Sequence, residues 1–430
     1  MTPRRHVVLA AMLSAAALVA GRAASANQAL PLFNGRPLDF DRTGGKVVAV
    51  YVPSWEPPAL LDRLRPGSVT HLLHAFVPVC GPGQLAKDAP RCAGRHDFEL
   101  GAPAAAEAGF DAAYARLKQR LPEVKILASV GGWGGSDPFF HLANDAARRA
   151  LFVASAVEFL RRHPAYDGID IDWEHPTSNG AANGVTLGSP ADGQAYAELM
   201  HELRRAFDRL AGETGRRYLV TSAINTSATL VKKIDYRRAA LALDLVFMMS
   251  YDYYGPWTAR AGHHAALRSS AADADASLDA GTRNLLAAGV PAGKLVAGVA
   301  MYARGFSGVA AAVDGRGIDG AAHAGPYPGA DGSLPYREIA GNYLDRHGHA
   351  RRGYTLLHDA RTETYALWNP RSRLYLGYDD PRAVIAKGRY ALEQGLAGVF
   401  AWELSQDNGD LLNAMNLGVG KRPVVHRNAP

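Results

Sequence analysis

The sequence predicts an α/β fold, a (β/α)8 barrel with a small inserted α+β domain between its seventh and eighth strands. Three observations predict it. Eight short apolar or β-branched runs alternate with longer helical patterns, the order that builds a parallel sheet. Several of those runs are almost continuously apolar, as strands are when both faces of a sheet are covered. Eight strands favour closure into a barrel, and no Gly-rich phosphate loop follows the first one, so a nucleotide-binding sheet lacks its signature.

The chain has 430 residues, 48% hydrophobic and 20% charged, a globular balance that excludes a disordered tail protein. Residues 1–26 read as a signal peptide. Arg4 and Arg5 lead an apolar run, Val7 to Ala20, and Ala24-Ser25-Ala26 is a small-residue cleavage site. The run is too short for a membrane helix, which needs roughly 20 apolar residues, so no membrane anchor is expected after cleavage. The formal charge of +6 depends on this segment, because without Arg4, Arg5 and Arg22 the basic residues number 44 against 41 acidic. So small an excess gives no reason to expect nucleic-acid binding.

The strands are expected at Val47–Val52, His71–Val77, Lys125–Val130, Gly168–Asp172, Tyr218–Ala223, Leu245–Tyr251, Leu295–Tyr302 and Gly398–Glu403. Together they define a barrel over 45–415. Between the third and fourth, Val153, Val157 and Leu160 recur at helical spacing within Asp145–Arg162. Cys80 and Cys92 share one Gly/Pro-rich stretch; in an exported chain a disulfide there is favoured over free thiols or zinc. No structural metal and no cofactor is expected. Residues 305–375 break the strand–helix rhythm, and Tyr336, Tyr354, Tyr365 and Trp368 argue for a packed unit, since disordered segments are poor in aromatics. Residues 418–430 are expected to form a flexible tail.

The most informative stretch is Asp167-Gly-Ile-Asp170-Ile-Asp172-Trp-Glu174. Strand side chains alternate faces, so Asp170, Asp172 and Glu174 point one way. In a barrel that way is inward, with Glu174 at the C-terminal rim. Three carboxylates so close cannot all ionise, which implies a shared proton and separated pKa values. A carboxyl kept protonated near neutral pH is what a general acid requires. Calcium is disfavoured, because the intervening residues are Ile, Ile and Trp where a calcium loop has flexible turn residues.

In these residues the chain resembles glycoside hydrolase family 18, the chitinase family, with its D-x-x-D-x-D-x-E strand. The resemblance extends in order along the chain: Ser129-Val-Gly-Gly-Trp133, Met249-Ser-Tyr251-Asp252, Tyr302-Ala-Arg304 and Trp402, with Tyr51, Trp55 and Ala75-Phe76 on the first two strands. Leu334 to Ile339 looks like part of the insertion domain of the deep-cleft subfamily. The resemblance implies a retaining, substrate-assisted reaction. Glu174 would protonate the glycosidic oxygen and later activate water. The substrate's own 2-acetamido oxygen would attack, forming an oxazolinium. Asp172 would hold the acetamido N–H, Asp170 would share a proton with Asp172, and Tyr251 would position the acetyl group.

Trp402 is expected under the reacting sugar, and Trp55 and Trp133 at flanking subsites. Tyr51, Phe76, Met249, Asp252, Tyr302 and Arg304 complete the expected substrate contacts. His175 stands where the family often has tyrosine; His263 and His264 carry no assignment. The expected protein is a secreted or periplasmic monomer acting on chitin or N-acetylglucosamine oligomers. The alternatives are an endo-β-N-acetylglucosaminidase on glycoprotein glycans or peptidoglycan, and a carbohydrate-binding protein without turnover. The presence of Glu174 speaks against the last.

Overall fold

Eight parallel strands close on themselves: β1 (Val47–Pro53), β2 (His71–Val77), β3 (Lys125–Gly131), β4 (Gly168–Asp172), β5 (Leu219–Ile224), β6 (Leu245–Met248), β7 (Leu295–Ala300) and β8 (Gly398–Trp402). Neighbours follow chain order and β8 pairs back onto β1, with Val47 opposite Gly398. This is the TIM-barrel arrangement. The computed structural model describes residues 32–42, 44–102, 109–270, 273–309 and 321–424. The segment expected to be a signal peptide lies outside the described residues, as does the end of the expected tail from 425 onward. Among the described residues no helix is long and apolar enough to cross a membrane.

Strand alternation sets the two layers. In β1, Val48, Val50 and Val52 join the core between strands and helices, whereas Val47, Ala49 and Tyr51 pack inside the barrel with Leu73, Leu127, Phe247 and Phe400. Outside, the helix Ala146–Arg162 begins where Asp145 accepts the Ala147 and Arg148 amides, and it buries Phe152, Val153, Ala156, Phe159 and Leu160. That seam lies one residue away from Val157, which is half-buried.

Three strands end earlier than the sequence predicts, the eighth by a single residue at Trp402. The sixth stops at Met248, because the next turn is closed by the Ser250 amide on Met248 O, and Ser250 Oγ accepts the Gly298 amide. The seventh stops at Ala300. From there Met301 donates to Trp402 O and Tyr302–Ser307 starts an antiparallel sheet. The inserted domain therefore begins at Tyr302, ahead of the expected 305. Its sheet, ordered Gly325–Pro326, Tyr302–Ser307, Leu374–Tyr378, Thr364–Asn369, Thr355–Asp359, runs to Tyr378. Helix Tyr336–Tyr343 packs with it through buried Tyr336 and Ile339. Where the chain leaves the insertion, Asp379 Oδ2 accepts the Ala300 amide at 2.9 Å and the buried Lys387 ammonium at 2.6 Å. That pair ties the returning helix, Pro381–Glu393, to the end of β7.

The expected flexible tail from 418 is corrected. Helix Asp410–Gly418 continues into a tethered segment. The Lys421 ammonium donates to Gly67 O, Phe40 bridges Pro423, and the Val424 amide donates to Asp39 O. Backbone and side-chain bonds hold it to the N-terminal end of the described chain, which sequence periodicity does not report.

Candidate active site

The inward face of β4 carries three acids at three depths. Asp170 is lowest and fully buried. Its Oδ2 accepts the hydroxyls of Ser129 (2.7 Å) and Tyr51 (3.0 Å), and its Oδ1 accepts that of Thr221 (2.6 Å). Burial raises its pKa and the three donors oppose the rise. Asp172, one layer up, has an Oδ1 that is buried without a hydrogen-bond partner. Burial, then the charges of Glu174 and Asp170, push its carboxyl well up. Glu174 stands at the rim with 15% of its side chain exposed, and its amide donates to Ser136 Oγ at 3.0 Å. Burial first, and the nearby Asp252 charge second, raise its pKa to about 8. A carboxylic acid is thus held protonated at neutral pH above an unfilled buried acceptor.

Two glycines allow this stacking. Gly131 has φ +115°, and a Cβ there would lie 2.1 Å from Asp172 O; Gly132 has φ +83°, and its Cβ would lie 2.5 Å from the Phe76 ring. Only a residue without a side chain lets β3 turn under both. Phe76 in turn stacks on Trp402, with centroids 5.6 Å apart and planes at 20°. Tyr51 and Trp55 flank Trp402 at 5.2 and 6.3 Å. The result is an aromatic floor across β1, β2 and β8.

The opposite wall follows β6. Arg304 clamps Asp252 with two bonds of 2.8 Å, Nε to Oδ1 and Nη2 to Oδ2. Burial pushes the Asp252 carboxyl up, but Arg304 and His264 outweigh it and hold the group well below the usual range. An anion is therefore kept near Glu174, where it supports that residue's proton. The Arg304 guanidinium also lies over Trp257 and Tyr302, at 5.1 and 5.2 Å from the ring centroids.

The pattern described as glycosyl hydrolases family 18 matches residues 47–407. The chain belongs to glycosyl hydrolase family 18. Chitinase A of Pseudoalteromonas piscicida is 35% identical over 89% of the chain, and the chain spans about half of that relative, 53%. A probable endochitinase of the Orgyia pseudotsugata multicapsid polyhedrosis virus is 34% identical over 87% of the chain and 72% of its own length. A family 18 chitinase from Cycas revoluta, solved in complex with (GlcNAc)3, superposes with a TM-score of 0.70 at 28% identity. That match covers 87% of this chain and 100% of the Cycas chain.

Among the residues picked out by their likeness to family 18, Asp172, Glu174, Tyr251, Asp252, Phe76, Met249, Trp402 and Trp55 gather at the C-terminal end of the barrel, with Asp170 buried a layer beneath them. Trp55 and Trp133 are 61% and 59% exposed. Two expectations change. Tyr51 is 1% exposed and its hydroxyl is bound to Asp170, so it lies below the surface a sugar could reach. Arg304 and buried Tyr302 brace Asp252 rather than face open solvent. Three hydroxyls donate to Asp170, one to Oδ1 and two to Oδ2. Cys80 and Cys92 are bonded to each other.

Sequence reasoning missed Thr221, Ser136, His264 and Trp257. The first two are short hydroxyls whose importance depends on what lies opposite. Trp257 had a signal, an aromatic in the Gly-Pro-Trp turn after Asp252, and it is 59% exposed.

Proposed function

We propose that this protein is an exported retaining hydrolase of β-1,4-linked N-acetylglucosamine, acting on chitin or its oligomers by substrate-assisted catalysis. The observation that carries the reading is Glu174, a rim carboxyl whose pKa is raised to about 8, set above the unpartnered Oδ1 of Asp172. Glu174 protonates the leaving oxygen. Asp172 Oδ1 accepts the acetamido N–H, which turns the acetamido oxygen toward the anomeric carbon of the same sugar. That carbon–oxygen bond forms as the glycosidic bond breaks. The carboxylates of Asp172 and Asp170 then stabilise the positive oxazolinium, and Tyr251 steadies the acetyl group. Glu174, now a carboxylate, takes a proton from water, whose oxygen opens the ring from the face the leaving group vacated. Trp402 on its aromatic stack carries the reacting sugar, and exposed Trp55, Trp133 and Trp257 offer faces to its neighbours. The named chitinase relatives and the oligosaccharide bound by the Cycas enzyme support this substrate class.

The test is digestion of N-acetylglucosamine hexamer by wild type and Glu174→Gln, with products resolved by size and anomer. Short β-anomer products from wild type and a loss of about 100-fold or more in the variant are expected. Intact hexamer with wild type refutes chitin as substrate and sends the search to glycoprotein glycans.

A further inference from the structure

The residue following Glu174 has an unusual setting. His175 has 14% of its side chain exposed, and its Nε2 lies 3.8 Å from Glu174 Oε2. Its Nδ1 is buried with no hydrogen-bond partner. The main chain that carries the ring is fixed, because His175 and Ser178 exchange amide-to-carbonyl bonds of 2.9 Å in both directions. The loop beyond is braced as well: Asn179 donates to Asp137, and Asp192 accepts the Thr177 amide.

We propose that His175 is a positioning residue for Glu174, its neutral imidazole presenting an N–H to the carboxylate that forms when Glu174 has given up its proton. The proposal rests on the acid/base reading of Glu174. A hydrogen on Nδ1 would be a buried donor with nothing to receive it, so the hydrogen belongs on Nε2, facing the acid. At 3.8 Å the contact is longer than a hydrogen bond. An ionised oxygen is a stronger acceptor that makes shorter bonds, and contacts of this kind tighten as the reaction proceeds.

The surroundings give His175 this task. Facing Glu174 are Asp172 and, below it, Asp170 from β4, and Tyr251 and Asp252 after β6, with Arg304 bound to Asp252. Burial, and after it the Asp252 charge, favour a proton on Glu174. On the loop side, Asp137 is occupied by Asn179 and Asn183, and Asp192 by Asn144 and two amides. The imidazole is the neighbour that favours the anion. Burial lowers its own pKa to about 4 while that of Glu174 is about 8. Between those values the pair holds one proton, and it sits on the carboxyl, the reverse of the order in water.

The test compares pH–rate profiles on N-acetylglucosamine hexamer for wild type, His175→Phe and His175→Gln, with Glu174→Gln as control. In His175→Phe, kcat is expected to fall about tenfold with KM within about twofold, and the basic limb of kcat/KM to rise by about 0.5–1 pH unit. His175→Gln keeps an N–H of similar reach that does not titrate, and its limb is expected within about 0.2 unit of wild type. His175→Asn, too short to reach, replaces the Phe variant if that chain misfolds and must show the same rise. A limb unmoved in the Phe or Asn variant, or moved equally in the Gln variant, overturns the proposal. Wild-type turnover in Glu174→Gln would instead overturn the reading beneath it.

Discussion

Replacing Thr221 by valine deletes one hydroxyl from below the site and keeps the shape of the side chain. That hydroxyl donates to Asp170 Oδ1 at 2.6 Å, with both residues fully buried. A hydrogen bond to a charged buried group contributes about 1.5–3 kcal/mol. The bond to the neutral acid is worth about 0.5–1.5 kcal/mol, so at about 1.4 kcal/mol per pKa unit the difference raises the Asp170 carboxyl by roughly one unit. Burial already holds that carboxyl above the ordinary value. A raised folded-state pKa means that the stability linked to Asp170 is complete below the unfolded value of about 4 and is lost as pH rises through the folded value. Valine raises the folded value further, so its deficit grows with pH. The expected loss is about 1.5–3 kcal/mol near pH 8, against about 0.5–1.5 kcal/mol near pH 3, where only a neutral bond is removed. Urea unfolding at both pH values measures it. Equal deficits, or less than about 0.5 kcal/mol near pH 8, would refute the view of Asp170 as an anion held by three hydroxyls.

The pKa of Glu174, raised to about 8, makes kcat/KM fall as pH rises through that value, because the acid form is lost; a basic limb near pH 6 in a wild-type profile contradicts the assignment. Gly132→Ala brings a Cβ to 2.5 Å from the Phe76 ring at φ +83°. It should cost about 1–3 kcal/mol in thermal unfolding and lower kcat by displacing the Phe76–Trp402 stack; wild-type values for both would remove the floor from the argument. Lys387→Met leaves Asp379 charged, buried and unpaired, for an expected loss of about 3–5 kcal/mol. Adding Asp379→Asn should recover part of that loss in the same unfolding assay, and no recovery would mean that the pairing is not what matters.

Much of this was legible from side-chain order. The period-2 pattern of β4 placed Asp170, Asp172 and Glu174 on one inward face, and the structure keeps Ile169, Ile171 and Trp173 in the outer core. Strand positions were readable because apolar runs report burial. Strand ends were less so: Ser250 and Met301 leave the ladder through bonds to Gly298 and Trp402, partners far along the chain. The tail was misjudged for the same reason, since its anchors at Gly67, Phe40 and Asp39 share no local pattern with it.

The sequence by itself determined the barrel, the inserted domain and the carboxylate ladder, because period, composition and spacing are properties of neighbouring residues. Only the tertiary structure decided the electrostatics. It brought Thr221, Ser129 and Tyr51 from three strands onto Asp170, and it left Asp172 Oδ1 without a donor. It set an Arg304-clamped Asp252 near Glu174. A carboxyl's proton affinity depends on burial and on charges a few ångströms away in space, and those distances exist only once the chain has closed.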